Sequence, residues 1–114
     1  MEKELVLFSS ATYSPFVALA RDLLKRYQIP FREIKTDGNE QAQTQLKAWF
    51  TEVRVPTIAL CQPGKTVLVD SPQSFVNNPP HRGEDRGSLI VEPNNHQLED
   101  WLHKHGFLAK PYKR

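Results

Sequence analysis

The opening of the chain constrains its fold most strongly, because two strand patterns there flank one helix pattern. "ELVLF" (residues 4–8) is a short apolar run that predicts a buried strand, and "FREIK" (31–35) alternates like a half-buried strand. Between them, Ser14 is a good N-cap and Pro15 suits the first helical position. The apolar residues of this helix recur at helical spacing: Phe16, Ala20, Leu23, Leu24 and Tyr27. A strand, a helix and a second strand predict a parallel pair joined by a right-handed crossover.

The middle of the chain predicts a second helix and a hairpin. After the turn "TDGNE", one face of the helix is apolar and is formed by Ala42, Leu46, Trp49 and Phe50. Residues 53–61, "VRVPTIALC", form a strand pattern, with Pro56 near its start. "QPGK" predicts a turn, after which residues 66–70, "TVLVD", are expected to pair back as a hairpin partner.

The last part of the chain predicts a further strand and a third helix. Residues 88–92, "SLIVE", are a strand candidate. Asn94 and Gln97 form a capping-box-like helix start, and Gly106 fits the helix end. Leu98, Trp101 and Leu102 are expected to face the core. We therefore predict a single α/β domain over residues 1–114, with a central mixed sheet of four or five strands and three helices.

Two segments lack these periodic patterns. Residues 71–87, "SPQSFVNNPPHRGEDRG", are rich in Pro, Gly, Asn and charge and predict an exposed loop, flexible over 72–87. Residues 109–114, "AKPYKR", form a basic C-terminal tail that predicts a frayed terminus. The loop is either a connector or a segment that becomes ordered on a protein partner.

Composition excludes several functional classes. The net charge of +2 gives no argument for nucleic acid, and no apolar run approaches the roughly 20 residues of a membrane helix. The N-terminus lacks the long apolar stretch of a signal peptide, so we expect a cytoplasmic protein. The single cysteine, Cys61, excludes an internal disulfide and is expected to be an inert core residue. The four histidines form no metal-binding pattern, so no metal site is predicted.

Three stretches resemble known families. "LVLFSSATYSPFVALARDLLKRYQIPFREI" resembles the opening of glutaredoxins and of the N-terminal domain of glutathione S-transferases, which implies a thioredoxin-like fold. "VRVPTIAL" is similar to the VP motif of these families, which implies a cis Val55–Pro56 bond that faces the active site. "GKTVLVDSPQSF" is similar to the transferase segment that binds the γ-glutamyl end of glutathione, which implies ligand contacts from Asp70 and Ser71.

The resemblance also locates a candidate catalytic position. Ser14 and Val17 stand where a glutaredoxin has its two cysteines, so disulfide exchange is excluded at that site. Ser14 would instead donate a hydrogen bond to a glutathione thiolate, and an alternative register places Tyr13 in this role. The simpler interpretation is that Ser14 only caps the helix, which stabilises it by about 1 kcal/mol.

Three functional hypotheses follow. The first is a redox-inactive glutaredoxin-like protein that acts as a binding or assembly module and takes glutathione or a peptide in a cleft formed by Ser14, Val55, Pro56, Asp70 and Ser71. The second is a minimal glutathione S-transferase-like enzyme that uses Ser14 or Tyr13. The third is a structural subunit that docks on a protein partner through residues 77–87.

Overall fold

The described residues form seven secondary-structure elements, in largely the order that the sequence predicts. The computed structural model describes residues 3–12, 14–50, 53–65, 68–69 and 81–108. The strands are β1 (Glu4–Ser9), β2 (Arg32–Lys35), β3 (Thr57–Cys61) and β4 (Leu89–Val91), and the helices are α1 (Pro15–Arg26), α2 (Glu40–Phe50) and α3 (Asn95–Lys104). The predicted α/β class with three helices is confirmed. None of the helices in these ranges has the length and apolar character needed to cross a membrane.

The four strands form one mixed sheet in the order β2-β1-β3-β4. β1 pairs in parallel with β2, with Val6 opposite Arg32, and α1 makes the crossover between them. β3 lies antiparallel to β1 on one side and to β4 on the other. The parallel pair predicted from the opening of the chain is therefore confirmed.

Helices cover both faces of this sheet. Leu5 and Leu7 of β1 belong to the hydrophobic cluster that includes α1 and α3, whereas Val6 and Phe8 belong to the cluster that includes α2. Successive side chains of a strand point to opposite faces, so a strand covered on both faces must be apolar at every position. This burial explains why "ELVLF" is a continuous apolar run rather than an alternating one.

The predicted apolar face of α1 is correct except at its two ends. Ala20, Leu23 and Leu24 are buried, but Phe16 is half-buried and Tyr27 is exposed. α1 ends at Arg26 and Tyr27 is its C-cap, so the Tyr27 side chain leaves the core face. Its hydroxyl donates a hydrogen bond to Glu99 at 2.9 Å instead.

The predictions for α2 and α3 are confirmed. The α2 face is buried, and so are the three α3 residues expected in the core. At the start of α3, the Gln97 N–H donates to Asn94 Oδ1 and the Asn94 N–H donates to Gln97 Oε1, each at 2.8 Å. Gly106 follows the helix end with a φ of +85°, a conformation that glycine adopts without strain.

Two separate segments share the free edge of β3. Near the β3 end, Leu68 bridges Cys61, and the Val69 N–H donates to the Leu60 oxygen at 3.0 Å. The Leu60 N–H donates to the oxygen of Ser88 at 2.8 Å, and β4 continues from there. The predicted hairpin partner, 66–70, thus contacts β3 through Leu68 and Val69, and the strand candidate 88–92 pairs with β3 through β4. Only the later segment forms a strand of the described sheet.

The segment before β4 is more ordered than its composition predicts. Residues 72–80 lie outside the described ranges, but residues 81–87 hydrogen-bond along β4. Asp85 bridges Ile90, and the Arg86 N–H donates to the Leu89 oxygen at 2.9 Å. Arg86 is only 8% exposed and forms an ion pair with Glu84, so the prediction of an exposed loop is wrong at this residue. The hydrogen-bonding demand of the β4 edge overrides the polar composition.

Candidate functional site

Several connections leave the sheet at one end, which we call the upper end. The register places Phe8 opposite Thr57 and Thr57 opposite Val91. The end of β1, the start of β3 and the end of β4 therefore coincide. The described segments 10–12, 53–56 and 92–94 therefore adjoin the strands at this end, as a consequence of strand order and register.

Ser14 lies at this end as the N-cap of α1. Its backbone is extended, with φ −142° and ψ 125°, and its Oγ accepts the N–H of Val17 at 3.4 Å. Its carbonyl oxygen accepts the N–H of Ala18 at 3.0 Å. The capping role predicted for Ser14 is confirmed, while the alternative active residue, Tyr13, lies outside the described residues.

Two carboxylates fix the chain around the end of β1. The Ala11 N–H donates to Asp37 Oδ1 at 2.6 Å, and this hydrogen bond lowers the pKa of Asp37. Glu33 accepts two hydrogen bonds from the Arg21 guanidinium and one from the Ser9 hydroxyl. The Arg21 hydrogen bond is the main reason why the pKa of Glu33 is lowered to about 2. The Glu33 bonds tie α1 to β2 and to the end of β1.

The segment before β3 contains the predicted cis bond between Val55 and Pro56. The Thr57 hydroxyl donates to the Arg54 oxygen at 2.8 Å, which closes a tight turn around the proline. The Pro56 oxygen accepts the N–H of Glu92 at 2.7 Å. Val55 is half-buried, and within the described ranges no group hydrogen-bonds to its backbone N–H or carbonyl.

Glu92 is the residue of this site that the sequence interpretation missed. Asp70 and Ser71, which were expected to contact a ligand, lie outside the described residues. The position beside Pro56 at the end of β4 belongs to Glu92, which has a φ of +48°. Two strand candidates, 66–70 and 88–92, compete for the edge of β3. The pairing of the second candidate with β3 is what places Glu92 beside Pro56.

Glu92 also binds the side chain of Arg54. Arg54 Nη2 lies 3.0 Å from Glu92 Oε1, and Arg54 Nε lies 3.3 Å from Oε2. Both side chains are largely buried, at 17% and 16% exposure. A two-point guanidinium–carboxylate pair has a defined geometry, so it holds the β4–α3 connection against the segment before β3.

The lone thiol lies far from this site in the sheet. Cys61 pairs with Glu4 at the opposite end of β1 from Ser9, and it is fully buried. Burial raises the pKa of the Cys61 thiol to about 11. The thiolate is the reactive form of cysteine, so the expectation of an inert core residue is supported.

Two grooves lie elsewhere on the described surface. A groove of 480 Å³ lies between Phe31 and Phe107, at the end of the sheet opposite the upper end. Another, of 520 Å³, lies beside Arg32 and the start of α2. Within the described parts of the chain, no group of three or more His, Cys, Asp or Glu side chains is placed to hold a metal ion.

Comparison with known proteins adds no family to this description. No protein-family model matches the chain, and no curated protein or solved structure matches it. The functional argument therefore depends on the residues at the upper end of the sheet.

Proposed function

We propose that this chain is a redox-inactive, glutaredoxin-like protein with a thioredoxin-like fold, and that it binds glutathione or a similar short peptide at the upper end of its sheet. The sheet order, with helices on both faces and α1 between the parallel strands, supports the fold. The observation that carries the function is the convergence of the Ser14 cap, the Val55 backbone and Glu92 at one end of the sheet.

The chemistry available there favours binding over disulfide exchange. Ser14 supplies a hydroxyl at the helix start, where a redox protein of this type has a thiol. A serine hydroxyl needs a neighbouring base to become a nucleophile, and the described contacts of Ser14 are only backbone N–H groups. The sole cysteine of the chain is buried elsewhere.

The Val55 backbone supplies the recognition element in this proposal. A half-buried backbone N–H and carbonyl that lack partners within the described residues are ready to pair with an extended peptide. The first turn of α1 adds the N–H of Phe16, because Pro15 has no N–H and the N–H groups of Val17 and Ala18 donate to Ser14. The positive end of the helix dipole favours an anionic ligand atom there. Together they suit a short peptide with a polar terminus.

The test is an NMR titration of ¹⁵N-labelled protein with millimolar reduced glutathione. We expect amide shifts confined to Ser14, Val55, Glu92 and their neighbours. Ser14→Ala should weaken binding several-fold, whereas Thr12→Ala, at an exposed position of the same connection, should not. Absent or scattered shifts would contradict the proposal and favour docking on a protein partner instead.

A second assay addresses the redox-inactive part of the proposal. The purified protein should show no glutathione-dependent reduction of a small disulfide. Measurable turnover from pure protein, abolished by Cys61→Ser, would overturn this part and would mean that the buried thiol reaches the substrate.

A further inference from the structure

A tight turn positions one arginine over the upper end of the sheet. The Glu84 N–H donates to the His81 oxygen at 3.0 Å, and the His81 N–H donates to Glu84 Oε1 at 2.8 Å. Gly83 within the turn has a φ of +81°, and its N–H donates to the Val91 oxygen. The turn therefore lies against the end of β4, with Arg82 at its tip.

The side chain of Arg82 contacts both sides of the site. Its guanidinium carbon lies 4.7 Å from the centre of the Phe16 ring, in the first turn of α1. Its Nε lies 3.6 Å from Glu92 Oε1, after β4. The aromatic face and the carboxylate hold the guanidinium between α1 and the β4–α3 connection.

Arg82 nevertheless retains most of its hydrogen-bonding capacity. Glu92 already forms a two-point pair with Arg54. The single negative charge of Glu92 therefore does not neutralise the positive charges of both arginines. The Arg82 side chain is 64% exposed, and within the described residues its two terminal nitrogens have no hydrogen-bond partner. A positioned guanidinium with free donors is suited to a two-point contact with an oxyanion.

We propose that Arg82 recognises a carboxylate of the ligand, so that the site selects short peptides with a free carboxylate near the start of α1. This proposal rests on the proposed function, because it uses the same site. Arg82 comes from the segment 81–87, which lies outside the stretches that resemble glutaredoxins and transferases. The selectivity would therefore be a property of this chain's own segment.

The experiment compares two probes and two variants by NMR. The probes are reduced glutathione and its diethyl ester, which lacks both free carboxylates. Arg82→Met removes the charge, and Arg26→Met is the matched control, because Arg26 also lies over an aromatic ring, that of Tyr27. We expect Arg82→Met to weaken glutathione binding about tenfold and to leave binding of the ester unchanged. Arg26→Met should change the binding of neither probe.

The outcomes separate this proposal from the proposed function. If glutathione binds the wild type and Arg82→Met equally well, the carboxylate role is refuted while peptide binding stands. If glutathione does not bind, the proposed function fails, and acetate is then titrated alone while the Arg82 Nε–H resonance is followed. A saturable shift supports the oxyanion site, and a linear or absent shift overturns it.

Discussion

The contact between Glu33 and Arg21 offers the sharpest test of how the upper end of the sheet is held. Glu33 lies on β2, Arg21 on α1, and the bound Ser9 ends β1. Glu33→Gln keeps the size of the side chain and removes its charge. We expect the variant to fold and to lose the charge-assisted part of this contact.

The magnitude follows from the pKa of Glu33. A decrease from 4.5 to about 2 corresponds to about 3.4 kcal/mol at about 1.36 kcal/mol per pH unit. The two side chains are 22% and 29% exposed, so solvent screening reduces this figure, and we expect a loss of about 1–2 kcal/mol in unfolding free energy at pH 7.

The pH dependence gives the sign of the effect. A lowered pKa in the folded state means that the ionised carboxylate stabilises the fold above about pH 4.5, and that this contribution disappears as the pH falls towards 2. The difference in unfolding free energy between wild type and Glu33→Gln should therefore have its full value at pH 7 and nearly disappear as the pH approaches 2.

Urea denaturation followed by circular dichroism at several pH values measures this difference. Glu40→Gln, at an exposed position at the start of α2, is the matched control and should change stability by less than about 0.5 kcal/mol. An equal loss at pH 7 and at the acid limit would refute the electrostatic reasoning, because a packing defect does not depend on the charge of the carboxylate.

Three further predictions concern other elements. Cys61 should resist alkylation by iodoacetamide at pH 8 in the native protein and react readily in denaturing urea; fast native reaction would contradict its burial. Asn94→Ala removes half of the α3 capping box and should cost about 1 kcal/mol of unfolding free energy by urea titration, whereas a neutral result would mean that the cap is unimportant. Burial lowers the pKa of His105, so acidification below about pH 6.5 should reduce the unfolding free energy. His105→Asn should reduce this pH dependence between pH 7.5 and 5. An unchanged pH profile in the variant would contradict the role of His105.

Local signals in the sequence predicted most of the fold. Ser14 and Asn94 each provide a side-chain acceptor for free backbone N–H groups, and the helices begin immediately after them. The continuous apolar run of β1 indicated burial on both faces. These features depend on residues that are close together in the chain, so they can be recognised in a single sequence.

The candidate site was less predictable, because it depends on contacts between distant residues. Arg54 and Glu92 are 38 positions apart, and their pairing requires that β4 be residues 89–91 rather than 66–70. Both stretches have strand patterns, and nothing local distinguishes them. The family resemblance pointed to Asp70 and Ser71 instead, because it compares continuous stretches of sequence and these residues directly follow the strand pattern 66–70.

The sharing of one strand edge explains how a polar segment contributes to the site without disrupting the sheet. Leu60 donates its N–H to Ser88 and accepts the N–H of Val69, so two segments satisfy one backbone position of β3. The outer side of β4 is covered in turn, because Val91 donates its N–H to the Glu84 oxygen at 3.2 Å. Since these backbone groups are paired, the turn that carries Arg82 is held by the sheet itself. A charged residue in a stretch that looks like an exposed loop is thereby fixed beside the start of α1, where a ligand carboxylate would bind in our proposal.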